Sequence, residues 1–171
     1  MTLHIRFFDG GSAFSAFKSQ GLLAKLQAVC PEIQSFTAHH IYLLATEQPL
    51  ATADHQRMAQ LLDVQSSPSA AAAAGVSCVV SPRMGTVSPW ASKATDIARN
   101  CGFKLRRLER LTEFHLQGLK PSLSASVTSA LQALLHDRMT ESVWPNRQDA
   151  QSLLTSLPAQ PLAFVDVKQG G

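Results

Sequence analysis

Val80-Ser81-Pro82-Arg83-Met84-Gly85-Thr86-Val87-Ser88-Pro89-Trp90-Ala91-Ser92-Lys93-Ala94-Thr95-Asp96-Ile97-Ala98-Arg99-Asn100-Cys101-Gly102 reads as three local structures in succession. The end of an apolar strand stops at Pro82, a turn-rich loop follows, and a helix starts between Ser88 and Ser92. Gly102 closes that helix, because glycine accepts the left-handed conformation that follows many helices. Upstream, Val76 to Ser81 is a strand buried on both faces. Downstream, Phe103 to Gln117 alternates like a strand, with a slip at Arg106-Arg107 that marks a bulge or a hairpin turn. Val127, Ala130, Leu131, Leu134 and Leu135 then share one stripe of an amphipathic helix.

The first 62 residues follow the same order. Leu3, Ile5 and Phe7 alternate against His4 and Arg6, which predicts a strand. Gly10-Gly11-Ser12 predicts a turn and a helix cap. The helix after it carries Leu22, Leu23, Leu26, Val29 and Cys30 on one face and stops at Pro31. Phe14 and Phe17 fall off that face, which suggests a break near Gly21. Ser35 to Ala45 is a long strand, and Thr52 caps a short helix through Leu62. Strand, helix, long strand and helix therefore occur twice, at residues 3–62 and 76–139, joined by a Ser/Ala-rich linker at 65–75. Each copy is an open sheet covered on one face, a unit stabilised by packing against a second copy. The expected fold is α+β: a tandem repeat forming a pseudo-two-fold fused dimer, with an antiparallel or mixed sheet covered by helices, over residues 1–144. Residues 145–171 read as a connecting segment. It holds a short helix capped near Asn146 with Leu153, Leu154 and Leu157, and a final Phe164-Val165-Asp166-Val167 that looks like the start of a further element.

A chain of 171 residues, 45% hydrophobic and 16% charged, is long enough for one core and too apolar to be disordered. No apolar run approaches the ~18 residues a membrane span needs, and the N-terminus lacks a signal-peptide layout. The expectation is a cytoplasmic protein. The net charge of +3 is concentrated: seven of the fifteen basic residues lie between Arg83 and Arg110, against only Asp96 and Glu109. Such a patch suits nucleic acid, a phosphorylated metabolite or an acidic protein surface, or is simply a solvated face. No interleaved aromatic residues or binding motif support nucleic acid. Cys30, Cys78 and Cys101 are odd in number, far apart and in apolar surroundings, which points to free buried thiols. No catalytic residue and no metal site is expected. No Cys-x-x-Cys or His-Glu-x-x-His occurs, and the adjacent His39 and His40 point to opposite faces of a strand. Gly10-Gly11-Ser12 lacks the lysine and spacing of a P-loop.

Gly85 to Ala98 with Asn100-Cys101-Gly102, and Leu135-His136-Asp137-Arg138-Met139-Thr140-Glu141 further on, are more specific than these layouts require. Together they resemble the N-terminal domain of the large, single-chain form of phosphoribosylformylglycinamidine synthase, the glutamine-dependent amidotransferase of purine biosynthesis. The resemblance implies a parent enzyme that uses ATP and Mg and carries its ATP site and glutaminase triad outside this chain. It also implies a domain resembling two fused copies of the small subunit found in the split form of the enzyme. This chain would then be a non-catalytic scaffold without a cofactor of its own, with the synthetase and glutaminase domains of the same polypeptide as its partners, helping to shape the ammonia path.

The candidate binding or interdomain residues are Arg83, Thr86, Ser88, Trp90, Ser92, Lys93 and Asp96, with Arg138 and Glu141 in the second motif. Gly85 frees the backbone, the hydroxyls and helix-start amides offer hydrogen bonds, and Arg83 and Lys93 add positive charge. That set suits an anion, a carboxylate or the carbonyls of a neighbouring domain. Ordinary capping of a helix is the plainer reading. Arg138 and Glu141, three apart on a helix, are expected to pair across one turn. The residues alone also admit a free-standing ferredoxin-like interaction or small-ligand sensor module.

Overall fold

The computed structural model describes residues 3–64, 75–119 and 123–155; the linker at 65–74 and the segment from 156 onward lie outside them. The elements are β1 (His4–Ser12), α1 (Ala16–Val29), β2 (Ser35–Thr46), α2 (Thr52–Leu61), β3 (Gly75–Pro82), α3 (Pro89–Asn100), β4 (Arg107–Gln117), α4 (Ala125–Leu135), β5 (Glu141–Trp144) and α5 (Arg147–Ala150). A single 3-10 turn, Gln151–Leu154, follows α5. The strands form one sheet in the order β1-β2-β4-β3-β5, with every neighbouring pair antiparallel.

The centre of the sheet is the pairing of β2 with β4, unbroken from Ser35↔Gln117 to Ala45↔Arg107. The two halves flank this seam in the same register. Shifting both partners of a β1–β2 pair by 71 positions gives a β3–β4 pair: His4↔Thr46 becomes Gly75↔Gln117, and Asp9↔Ile41 becomes Val80↔Thr112. Both ladders break at that second, equivalent point. The repeat read from sequence is thus a pseudo-two-fold pair with its axis between β2 and β4. Two core clusters cover one sheet face. In the first, Leu26 and Cys30 of the α1 region meet Leu131 and Leu135 of α4 over Ala38, Phe114 and Leu116. In the second, Met58 of α2 meets Ala98 of α3 over Phe8, Leu44 and Leu108. Each cluster takes one helix from each half, so neither half closes its core alone.

Several boundaries differ from the sequence reading, each for a local reason. Gly10 and Gly11 do not turn the chain; they lie inside β1 at a slip between Asp9 and Ser12. A Cβ on Gly10 would sit 2.8 Å from the Tyr42 ring and 2.9 Å from the His40 carbonyl oxygen, so close packing explains that glycine. The α1 cap is Ser15, which accepts from the Lys18 amide. α1 runs unbroken through Gly21, because Phe14 precedes the helix and packs against Phe114 while Phe17 is 85% exposed. Ala51, not Thr52, occupies the α2 cap position, without a side-chain bond. β4 starts only at Arg107, and Phe103 and Leu105 are buried from the loop before it. β3 is buried on both faces only from Val79 to Ser81.

The opposite sheet face is apolar at one end and polar at the other. Ile41, Leu43, Ala45, Val79 and Leu111 pack with Ala150 and, at the margin, Trp144 and Leu154. Residues 147–154, read as part of a connecting segment, therefore lie on the sheet, and Asn146 caps α5 by accepting from the Asp149 amide. Arg147 fixes α5 to the polar end. Its Nε and Nη2 donate to Glu113 at 2.9 and 2.6 Å, and Nη2 also reaches Asp9 at 2.6 Å. His115 lies 3.5 Å from the same carboxylate. Burial alone would push the Glu113 pKa up, but hydrogen bonds from His115 and Arg147 outweigh it and hold the value at about 2.

Two predictions follow from this packing. Phe114→Ala empties a fully buried site beneath α1 and α4 and should cost ~3–5 kcal/mol in urea unfolding, whereas Phe17→Ala should stay within ~0.5 kcal/mol. Because the folded pKa of Glu113 is depressed from 4.5 to about 2, its contribution is present above pH 4.5 and is lost as pH falls toward 2. Glu113→Gln should lower stability at neutral pH and flatten the acid limb of the stability curve in that window. An unchanged acid limb would contradict the role given to this carboxylate.

Candidate functional site

The β3–β4 ladder ends at Val80↔Thr112, while β3 pairs along its other edge with β5 from Val79↔Trp144 to Pro82↔Glu141. This uncovers the β4 backbone near Leu108, and a buried edge group must find a partner. Thr95, buried on α3, supplies one: its Oγ1 accepts from the Leu108 amide at 3.0 Å and lies 3.5 Å from the Leu108 carbonyl. α3 thus substitutes for a strand along this edge, and the loop 83–88 spans the gap.

The loop is built from short-range bonds around one buried carboxylate. Gly85 takes φ +80°, a conformation costly for other residues. The Thr86 amide and hydroxyl both donate to the Arg83 carbonyl, at 3.1 and 2.6 Å. Ser88 caps α3 by accepting from the Ala91 amide at 2.9 Å, and its hydroxyl donates to Glu109 Oε1 at 2.6 Å. Arg107 Nη2 donates to Glu109 Oε2 at 2.6 Å and to the Thr86 carbonyl at 2.8 Å. The Arg110 amide adds a third donor to Glu109, which is completely buried. Glu109 therefore holds both ends of the loop, Ser88 directly and Thr86 through Arg107.

The sequence candidates separate into groups. Arg83 is exposed, and its amide donates to the Thr140 carbonyl at 2.9 Å, so the two specific motifs meet at this corner. Thr86, Ser92 and Asp96 line one open cavity beside α3. Ser92 bonds the Ser88 carbonyl at 3.3 Å, Asp96 lies 3.7 Å from Arg99, and Lys93 is exposed. Trp90 turns away from the cavity. It stacks on Tyr42 at 5.7 Å between ring centres, with the Arg110 guanidinium 5.1 Å from its own. The expected Arg138–Glu141 pair is not formed. α4 ends at Leu135, and 137–140 is a turn in which Glu141 accepts from the Asp137 amide at 2.8 Å. Arg138 projects into solvent.

Glu109, Arg107 and Thr95 escaped the sequence reading as site residues. The available signal was Glu109 itself, one of two acids in a run of seven bases and placed where the strand alternation slips. The thiols are free: Cys30 is buried and Cys78 half-buried. Cys101, expected to be buried, is exposed because it lies just past the end of α3. Burial, helped by Glu113, pushes the Cys78 thiol up to about 11, so it is protonated at neutral pH and is no activated nucleophile. Among the described residues no three metal-ligating side chains converge, and no helix is long and apolar enough to cross a membrane.

Glu109→Ala should cost ~3–5 kcal/mol in urea unfolding, because it strands the Arg107 charge in a mostly buried position. Ser88→Ala removes a cap and one bond to that carboxylate and should cost ~1–2 kcal/mol. Ser92→Ala, a few residues away, should be neutral within ~0.5 kcal/mol. Equal costs at all three positions would contradict the anchoring role of Glu109.

The family model described as "Formylglycinamide ribonucleotide amidotransferase N-terminal" matches residues 39–154, from the middle of β2 through the 3-10 turn after α5. That span contains the seam from His39↔Glu113 to Ala45↔Arg107, the 83–93 loop, its Glu109 anchor and the 137–141 turn. It covers more than half of the sequence, and the chain belongs to the formylglycinamide ribonucleotide amidotransferase N-terminal family.

Proposed function

We propose that this chain works as the N-terminal domain of phosphoribosylformylglycinamidine synthase, within an enzyme that uses ATP and glutamine to convert formylglycinamide ribonucleotide to its amidine. Family membership supports the place in purine biosynthesis. In this reading the chain is a scaffold that bridges the synthetase and glutaminase parts and helps shape the ammonia path. ATP, Mg and the glutaminase nucleophile belong to those other parts. The observation that carries the reading is the 83–93 loop: Glu109 fixes it from within, while Arg83, Ser92 and Lys93 stand exposed. A rigid polar loop costs little further entropy when a neighbouring domain docks on it.

The test is Lys93→Ala in the parent enzyme. Removing an exposed charge should move stability by less than ~0.5 kcal/mol. Glutamine-dependent amidine formation should fall much further than melting temperature does. Loss of the glutamine-dependent reaction alone, with ammonia-dependent and glutaminase activities retained, would assign the loop to the ammonia path. Loss of both synthase reactions would assign it to the substrate site. Wild-type levels of all three would refute the docking role. The 171-residue chain alone should show neither glutaminase nor synthase turnover.

A further inference from the structure

Between α3 and the turn that follows α5 lies an open cavity of about 830 Å³, within the size range of small-ligand sites. Its lining combines two chemistries. Leu3, Ala45, Leu153 and Leu154 form an apolar wall, while Arg99, Arg106 and Arg107 contribute three guanidinium groups. We propose that this cavity binds a small anion carrying a phosphoryl group, with the arginines at the anionic end and the leucine wall against the rest of the molecule.

The state of each guanidinium supports this. Arg106 is exposed, and its nearest carboxylate oxygen, on Glu47, is 4.0 Å away. Arg99 spends Nε and Nη2 on the carbonyls of Leu105 and Arg106, and its Nη1 lies 3.7 Å from Asp96. Both ion pairs are long and solvent-exposed, the kind that contributes ~0–1 kcal/mol and gives way to a better acceptor. Arg107 is the firmly placed member, locked by Glu109 through Nη2. Three guanidiniums from separate backbone positions suit a dianion with several equivalent oxygens better than a single carboxylate.

The site shares the 83–93 loop with the coupling role but does not depend on it, since the chain alone suffices for the test. Amide NMR titrations of the 171-residue protein at fixed ionic strength would use inorganic phosphate, adenosine monophosphate and malonate. The expected result is saturable phosphate binding with shifts at Thr86, Val87, Ser92 and Thr95. Arg106→Gln and Arg99→Gln should each weaken it at least ~5-fold, because each removes one guanidinium without touching the buried pair; Lys25→Gln on α1 should leave it unchanged. Adenosine monophosphate binding tighter than phosphate at the same amides assigns the site to a phosphate ester. Equal binding of the two assigns it to free phosphate. Malonate binding as tightly as either, non-saturating shifts, or equal weakening by Lys25→Gln would overturn the proposal. An Arg107 variant is avoided because loss of folding would mimic loss of binding.

Discussion

The antiparallel pairing of β2 with β4 is the constraint on which the rest of this molecule depends. It joins two halves that repeat at an interval of 71 residues and places their helices together on one face. A half by itself would leave α1 without α4, α2 without α3, and a long strand with an open edge. Apolar area of this kind is buried only when both halves are present, which makes the seam the origin of the core as well as of the symmetry.

The loop at 83–93 exists because the symmetry is incomplete. Both outer ladders break at the same place, after Asp9 in one half and after Val80 in the other. In the first half two small glycines let β1 slip and continue beside Tyr42 and His40. In the second half the β3–β4 ladder ends while β3 stays paired with β5 on its other edge, and Thr95 of α3 takes the vacated β4 edge beside the Arg107–Glu109 pair. A buried carboxylate costs several kcal/mol of lost hydration unless it is fully bonded, and Glu109 receives donors from Ser88, Arg107 and the Arg110 amide. The same bonds keep the hydroxyl-rich loop in one shape while leaving its charged side chains in water. The corner where the repeat fails is thus where distinct chemistry is presented.

Much of this was readable from the residues. Period-two runs such as Phe36 to Leu44 and helical stripes such as Leu131 with Leu135 gave the elements, their order and the repeat. Ser88 and Gly102 marked the ends of α3. What stayed hidden depended on long-range partners. Gly10-Gly11 looked like a turn because no local signal reports the Tyr42 ring lying across the backbone. Arg138 and Glu141 looked like a helical pair because nothing nearby shows that Glu141 belongs to a strand opposite Pro82. The loop was recognisable from its hydroxyls and bases, but Glu109, which organises it, is separated from Ser88 by the whole of α3. Sequence spacing does not reveal that β4 brings them to 2.6 Å.

Native-state hydrogen exchange tests the central claim most directly, since it reads the stability of each element separately. If the seam ties both halves into one unit, amides of Ala38 to Leu44 in β2 and Leu108 to Phe114 in β4 should be the slowest to exchange. They should share a single opening free energy equal to that of global unfolding. α1, α2, α3 and α4 should open at or below that value without sorting into an early first half and a late second half. Exchange in which residues 4–61 and 75–135 open as two separate units, each keeping its protection when the other has lost it, would contradict the account.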